Sequence, residues 1–540
     1  MDFGNSVFTK KESTKNDYKV LITTSGVGSR LGELTKYTNK SLITIGDKPA
    51  ISHIIESYPT GVTFVITLGY FGQIVKEFLT LAYPDLKFEF VNVKNFNGPG
   101  SSLANSINSA RSLLQTPFIY HACDSILIGE NLPPPNFNWI AGFHGKDATN
   151  YASFNVHEDT VTLFHEKGSL EFDYIHVGVV GVKDFGDFWE ALENSLDYDS
   201  NDQSLNDVSV VSKLILDHKV FKLVLINNWF DTGNSNSLRI TRNFFKSRAN
   251  ILEKPEESIF FIGNSVIKYF STTEVVSNRV TRSKYLQNIT PKVLVSTDHF
   301  YMYKYEDGKL ASDEVDANLI DTLLGWGIDN LWIPNPNTNH DEFKSKCTEF
   351  YVDKSLRRIE EFCNSRAIND DFAQINKISV PPAEDLVLSA EKILANIYKE
   401  TGFHGDFILD NILVQSNGFK LIDWRQDFAG SIQYGDMYYD LAKLNHSLHV
   451  NHKIVNKELF SIHRDPSDIK CSLLRNDYHI EMEKKLKLFV ESNNLSWLKI
   501  QILTPLIWLN MSPLHHYPFD LFLYFYGRLN LWRALNEASQ

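Results

Sequence analysis

Between residues 401 and 441 the chain reads TGFHGDFILDNILVQSNGFKLIDWRQDFAGSIQYGDMYYDL, and three of its side chains have the types and spacing that phosphoryl transfer needs. Asp406 is followed five residues on by Asn411 and twelve further by Asp423, which closes the run 419–422. In such a transfer one carboxylate accepts the proton of an attacking hydroxyl, while an amide and a second carboxylate hold the magnesium that neutralises the moving phosphate. The set reads as a kinase catalytic loop with its metal strand. Asp, Asn and Gly also favour turns, so an Asx-rich connection between helix and strand would use some of the same residues.

A second set lies near the start of the chain. An apolar run, 20–24, leads into SGVGSRL, which carries Gly26, Gly28, Ser29 and Arg30, and Lys40 stands ahead of another apolar run. Glycines let a backbone approach phosphate closely, and the two basic side chains supply charge for a nucleoside triphosphate. The run 118–124, FIYHACD, predicts a strand ending in Asp124 at the carboxyl edge of a sheet, where ligands bind in α/β folds. Asp231 follows much later, in NWFDTGN.

A chain of 540 residues exceeds one ordinary core, so two or three domains are expected to position these groups. In the first, a buried strand over 63–69 and a helix over 74–81 predict a mostly parallel α/β sheet. Residues 185–196, with Phe188 and Trp189, read as core packing. Residues 257–270 hold two short apolar runs separated by Gly-Asn, a hairpin signal, and Lys268 lies on the second run. From 313 to 399 apolar residues recur every three or four positions, as in a helical lobe. The expected organisation is a disordered tail at 1–17, one domain over 18–245 and another over 246–540, with the boundary near 246–254.

HGDxxxxN followed by a strand ending in IDW resembles the aminoglycoside phosphotransferase and choline kinase family. The resemblance implies a two-lobed, protein-kinase-like fold in which Asp406 is the catalytic base, Asn411 and Asp423 ligate magnesium and His404 braces the loop. It also implies that Lys268 binds ATP phosphates, that backbone near Tyr303 and Tyr305 meets adenine, and that Asp427 and Tyr434 line the acceptor pocket. The first half resembles the sugar nucleotidyltransferases, although Asn39, Ser41, Gly32 and Glu33 depart from their pattern, and it is closer to phosphocholine cytidylyltransferases. That likeness implies a Rossmann-like, GT-A-type domain with Lys40 and Arg30 as catalytic groups. Asp124 and Asp231 would hold magnesium, Gly26, Gly28, Ser29, Gly100, Ser101 and Ser102 would bind the nucleotide, and Glu166 and Lys167 would meet the second substrate.

The two chemistries are consecutive. Together they imply a bifunctional enzyme that phosphorylates a small amino alcohol or polyol with ATP and couples the ester to CTP, as bacteria do when building surface polysaccharides. The alternative is an anomeric sugar kinase fused to a sugar-1-phosphate nucleotidyltransferase that uses UTP or GTP. A glycosyltransferase, or a scaffold with one inactive half, is the other class kept open.

A formal net charge of -13 disfavours non-specific binding to nucleic acid or anionic membrane, so the expected partners are nucleotides and small molecules, with a homo-oligomer left open. Cys123, Cys347, Cys363 and Cys471 lie far apart without CxxC spacing, and the polar start carries no apolar segment, which together predict a cytoplasmic protein with free thiols. The apolar window 495–511 contains Lys499, Gln501 and Asn510 and predicts a buried helix and no membrane insertion.

Overall fold

The computed structural model describes residues 18–198, 203–245, 255–314, 316–465 and 467–539. The expected tail at 1–17 and the expected boundary at 246–254 lie outside the described residues. The chain is mixed α/β and divides into two compact units, one of Met1–Thr273 with Val295–Met302, the other of Glu274–Leu294 with Tyr303–Gln540.

The first unit is built on a nine-stranded sheet. Lys19–Thr23 lies between two parallel neighbours, Thr63–Leu68 and Phe118–Ala122, and Lys87–Asn92 adds a fourth parallel strand. Strands covered on both faces need apolar residues throughout. Val20 and Ile22 enter one core with Ile54, Phe64 and Phe78, while Leu21 enters the other with Ile107, Tyr120 and Leu192, because successive side chains point to opposite faces. Phe188 and Trp189 are buried in that second core, with Trp189 stacked on Phe118. The run of parallel neighbours breaks at Phe118–Ala122, which pairs antiparallel with Tyr174–Val182, and parallel pairing returns between Trp139–Phe143 and Lys222–Ile226. The sheet is thus mixed, and the expected predominance of parallel pairing holds only for its first part.

Glu257–Ile262 and Ser265–Phe270 form the hairpin anticipated from the Gly-Asn pair, with Gly263 at φ 56° in the turn. The hairpin packs with the first unit. The Phe260 ring lies 5.3 Å from that of Phe78, and the Phe261 amide donates to the Asp47 carbonyl at 2.7 Å.

The second unit is mainly helical, including Leu319–Asn330, Ala383–Asn396, Met437–His449, Trp497–Met511 and Phe519–Ser539. Trp497–Met511 is the buried helix expected from its apolar window. Among the described residues no helix is long and apolar enough to cross a membrane. Small sheets interrupt the helices. Ile412–Gln415 and Gly418–Leu421 form the hairpin that follows the Asp406 loop. Ala373–Ile375, Ile378–Val380, Phe460–Arg464 and Ile469–Leu473 form a four-stranded sheet within a region whose first part reads as helical in sequence. All four cysteines are free thiols.

Candidate active sites

In the first unit, the glycine loop leaves the end of Lys19–Thr23. Gly28 adopts φ 71°, and a Cβ there would lie 3.1 Å from the Cβ of Lys40, so glycine allows the loop to fold over that lysine. Asn39 anchors the lysine from the other side by donating to the Thr24 carbonyl at 2.7 Å. Lys40 Nζ reaches Asp124 Oδ2 at 2.9 Å. Burial pushes the Asp124 carboxyl up, but the Lys40 ammonium more than offsets this and holds it below the usual carboxylate range. Arg30 and Ser29 are exposed at the mouth of the loop, and the Arg30 charge acts on both Lys40 and Asp124.

Asp231 lies on the strand Trp229–Asp231, which pairs with Ser125–Leu127 immediately after Asp124. The two carboxylates flank Gly233: a Cβ on that residue would be 3.0 Å from Asp231 Oδ1 and 3.1 Å from Asp124 Oδ2. Burial and the nearby Asp124 charge raise the Asp231 carboxyl. Tyr151 Oη and Ser237 Oγ donate to Asp231 Oδ2 at 3.0 and 2.6 Å, contacts that nothing in the local sequence announces.

Gly26 sits at the open side of the loop, where an added Cβ would meet nothing. Gly100, Ser101 and Ser102 form a tight loop in which Ser102 caps the helix Leu103–Asn108. A buried Ser25–Ser106 hydroxyl pair at 2.8 Å ties that helix to the glycine loop, so the two expected nucleotide-binding segments adjoin. Glu166 and Lys167 are exposed. The adjoining Gly168 amide donates to the Ala148 carbonyl at 2.9 Å, in the segment that carries Tyr151. Lys268 is 3% exposed on an interior strand of the four-stranded sheet that holds the hairpin.

In the second unit, Asp406 and Asn411 are brought together: Asn411 Nδ2 donates to Asp406 Oδ2 at 2.9 Å and to its carbonyl at 3.0 Å. Lys443, on the helix Met437–His449, places Nζ 2.7 Å from Asp406 Oδ1. The loop is held from below by Asp440, which accepts the amides of His404 and Gly405 at 2.7 Å each and the Trp332 indole at 3.1 Å. Burial raises the Asp440 carboxyl to about 6 against those bonds. His404 is fully buried, accepts the Asp406 amide on Nδ1 at 3.3 Å, and is held neutral by burial with its pKa lowered to about 4. Gly405 has φ 85°, and a Cβ there would lie 2.6 Å from that of Arg425, so the loop packs closely on the following segment.

Asp423 adopts φ 58°, a left-handed conformation that a non-glycine residue holds only when its surroundings enforce it. Its Oδ1 accepts from Arg279 at 2.5 Å, a partner from the helix Thr273–Ser283 that sequence spacing does not reveal. On the same helix, fully buried Arg282 donates to the carbonyls of Phe403, His404 and Arg425 and stacks on the Phe403 ring at 3.6 Å. Tyr303 is buried, 6.3 Å from the Trp424 ring, whereas Tyr305 is exposed. Asp427 accepts the Gly430 amide at 3.0 Å, and the Tyr434 hydroxyl accepts from Gln433 at 3.0 Å.

Among the described residues no three His, Cys, Asp or Glu side chains gather as a metal cage. Magnesium takes one or two carboxylates together with water and substrate phosphates. The Asp124–Asp231 pair fits that pattern, since two acidic groups, one raised by the charge of the other, face a common point. Asn411 and Asp423 provide the matching donor types, but Asp423 shares its carboxylate with Arg279, so a cation there would sit beside or displace that guanidinium.

No family model matches the chain. The bifunctional protein GlmU of Methanococcus vannielii is 24% identical over 263 residues, covering 46% of this chain and 60% of the relative, so the chain spans only part of that protein's length. Among solved structures, CTP:phosphocholine cytidylyltransferase from Streptococcus pneumoniae (LicC) shares 16% identity, with 43% of this chain and 100% of that chain covered at a TM-score of 0.36. The inositol-1-phosphate CTP transferase from T. maritima shares 13% identity, with 42% and 94% covered at a TM-score of 0.35. These likenesses fall on the amino-terminal part of the chain, which is where Lys40, Asp124 and Asp231 lie.

Proposed function

We propose that the chain is a bifunctional enzyme. Its second unit transfers the terminal phosphoryl group of ATP to the hydroxyl of a small alcohol, and its first couples the resulting phosphate ester to a nucleoside triphosphate, with CTP favoured and pyrophosphate released. The observation that carries this reading is the convergence of Lys40, Asp124 and Asp231 beyond the end of Phe118–Ala122. Lys40 and Arg30 would meet the charge of the triphosphate, and Asp124 and Asp231 would hold the magnesium. That ion, when bound, offsets charge on the phosphates. The pairing of Asp406 with Asn411 supports the kinase assignment, with Asp406 taking the proton of the acceptor hydroxyl. The fold assignments that go with these roles are a GT-A-type nucleotidyltransferase and a choline kinase-like phosphotransferase, and sequence likeness to GlmU supports the first.

The test is incubation with ATP, each of the four nucleoside triphosphates and a panel of alcohols and sugars, with products read by mass spectrometry. Asp406→Asn should stop phosphorylation of free alcohol and leave coupling of supplied ester intact, and Asp124→Asn should do the reverse. Equal loss of both activities in either variant refutes two independent sites.

A further inference from the structure

Around Asp406 the second unit gathers more positive charge than the proton transfer requires. Lys443 lies against the carboxylate itself. Two further cations lie over one aromatic ring: Lys354 Nζ is 4.4 Å and Arg425 Cζ 4.9 Å from the centroid of Phe350. Arg425 belongs to the site because its amide donates to the His404 carbonyl at 3.1 Å and its Cβ packs against Gly405, next to Asp406. Its Nε donates to the Asp427 carbonyl at 3.1 Å, and that residue's Oδ1 accepts the Gly430 amide. Lys354 and Arg425 have no carboxylate within ion-pair distance among the described residues.

We propose that the acceptor alcohol carries an anionic group, a carboxylate or a phosphate monoester, held between Lys354 and Arg425 while its hydroxyl faces Asp406. This rests on the reading of Asp406 as the base of a phosphotransferase. An ammonium would instead call for an anionic aromatic cage, for which Asp427, Tyr434, Tyr438 and Tyr439 have the residue types, as they have for the hydrogen-bonding walls of a sugar site. Tyr438 is buried with its hydroxyl accepting the Ser496 amide, and Tyr439 is buried edge-on to Phe350. Burial, followed by the charges of Arg425 and Lys443, depresses the Lys354 ammonium well below its usual range. An arriving anion would relieve that cost, and a choline-like cation would add to it.

The experiment compares glycerate, glycerol phosphate, glycerol and choline as acceptors for ATP-dependent phosphorylation by the full chain, with glycerate and glycerol phosphate separating the two sources of anion. One anionic acceptor should exceed glycerol in kcat/KM by about tenfold or more, the worth of a charge-assisted hydrogen bond. Lys354→Gln should lower kcat/KM for the anionic acceptor by about tenfold, through KM, and Lys354→Arg should restore it. The acceptor ranking of the unmodified protein needs no variant to fold. Preference for glycerol or choline overturns the inference and leaves the kinase reading standing. Transfer to no acceptor of either charge overturns the kinase reading and this inference with it.

Discussion

Asp124 and Asp231, more than a hundred residues apart in sequence, flank the same glycine: a Cβ at Gly233 would lie 3.1 Å from one carboxylate and 3.0 Å from the other. Contacts in that range are tighter than side chains normally accept, so Gly233→Ala must push at least one carboxylate aside. Displacement of a reacting group by about 1 Å costs on the order of 100-fold in rate. The carboxylate has to give by only a few tenths of an ångström, so nucleotidyl transfer, followed as pyrophosphate release, should fall by less than that, about tenfold, with phosphorylation of free alcohol unchanged. An alanine variant of full coupling activity would show that the pair is not the working site.

Arg282 holds the segment beside Asp406 through three carbonyls, those of Phe403, His404 and Arg425, that otherwise face a buried interior. Each buried polar group left unpaired costs roughly 1–3 kcal/mol. Arg282→Met should therefore destabilise the second unit by about 3 kcal/mol or more, seen as a lower urea midpoint. It should also abolish the proposed kinase activity, because two of the carbonyls it binds belong to Phe403 and His404, just before Asp406.

Lys499 and Asp436 form an ion pair with both side chains fully buried, 2.8 Å apart. Removing one partner strands the other charge and costs about 3–5 kcal/mol. Lys499→Met alone should be severely destabilised in urea titration. The double variant Lys499→Met with Asp436→Asn should lose less than the two single changes added together. Additive losses would mean that the two groups are energetically independent.

Acid should weaken the protein below neutrality. Burial lowers His121 and His404 to about 4, and His121 is bonded as a neutral ring, with Nδ1 against the Tyr58 hydroxyl and Nε2 against the Ser125 carbonyl. Their folded pKa lies below the unfolded value of about 6.5. The unfolded chain consequently binds more protons between those limits. Stability contributed by the neutral rings is complete above about pH 6.5 and declines as pH falls toward 4, by about 1.4 kcal/mol per pH unit for each histidine. Denaturation midpoints measured at about pH 7.5, above that window, and at about pH 6 and 5, inside it, should decrease in that order.

Local chemistry was legible in the sequence because it is encoded by neighbours. The five-residue step from Asp406 to Asn411 closes a single loop, the Gly-Asn pair makes its hairpin, and the alternating apolar residues of Lys19–Thr23 feed two cores. The placement of Tyr151 on Asp231, of Lys443 on Asp406 and of Arg279 on Asp423 was not legible, since each joins elements distant in the chain through packing that no local pattern records. The same reason accounts for the turn from parallel to antiparallel pairing at Tyr174–Val182 and for the sheet linking Ala373–Ile375 with Ile469–Leu473. Residue types and short spacings determined which groups could do chemistry. Tertiary packing alone decided which counter-charges face them, because a charge acts through space and takes no account of its distance along the chain.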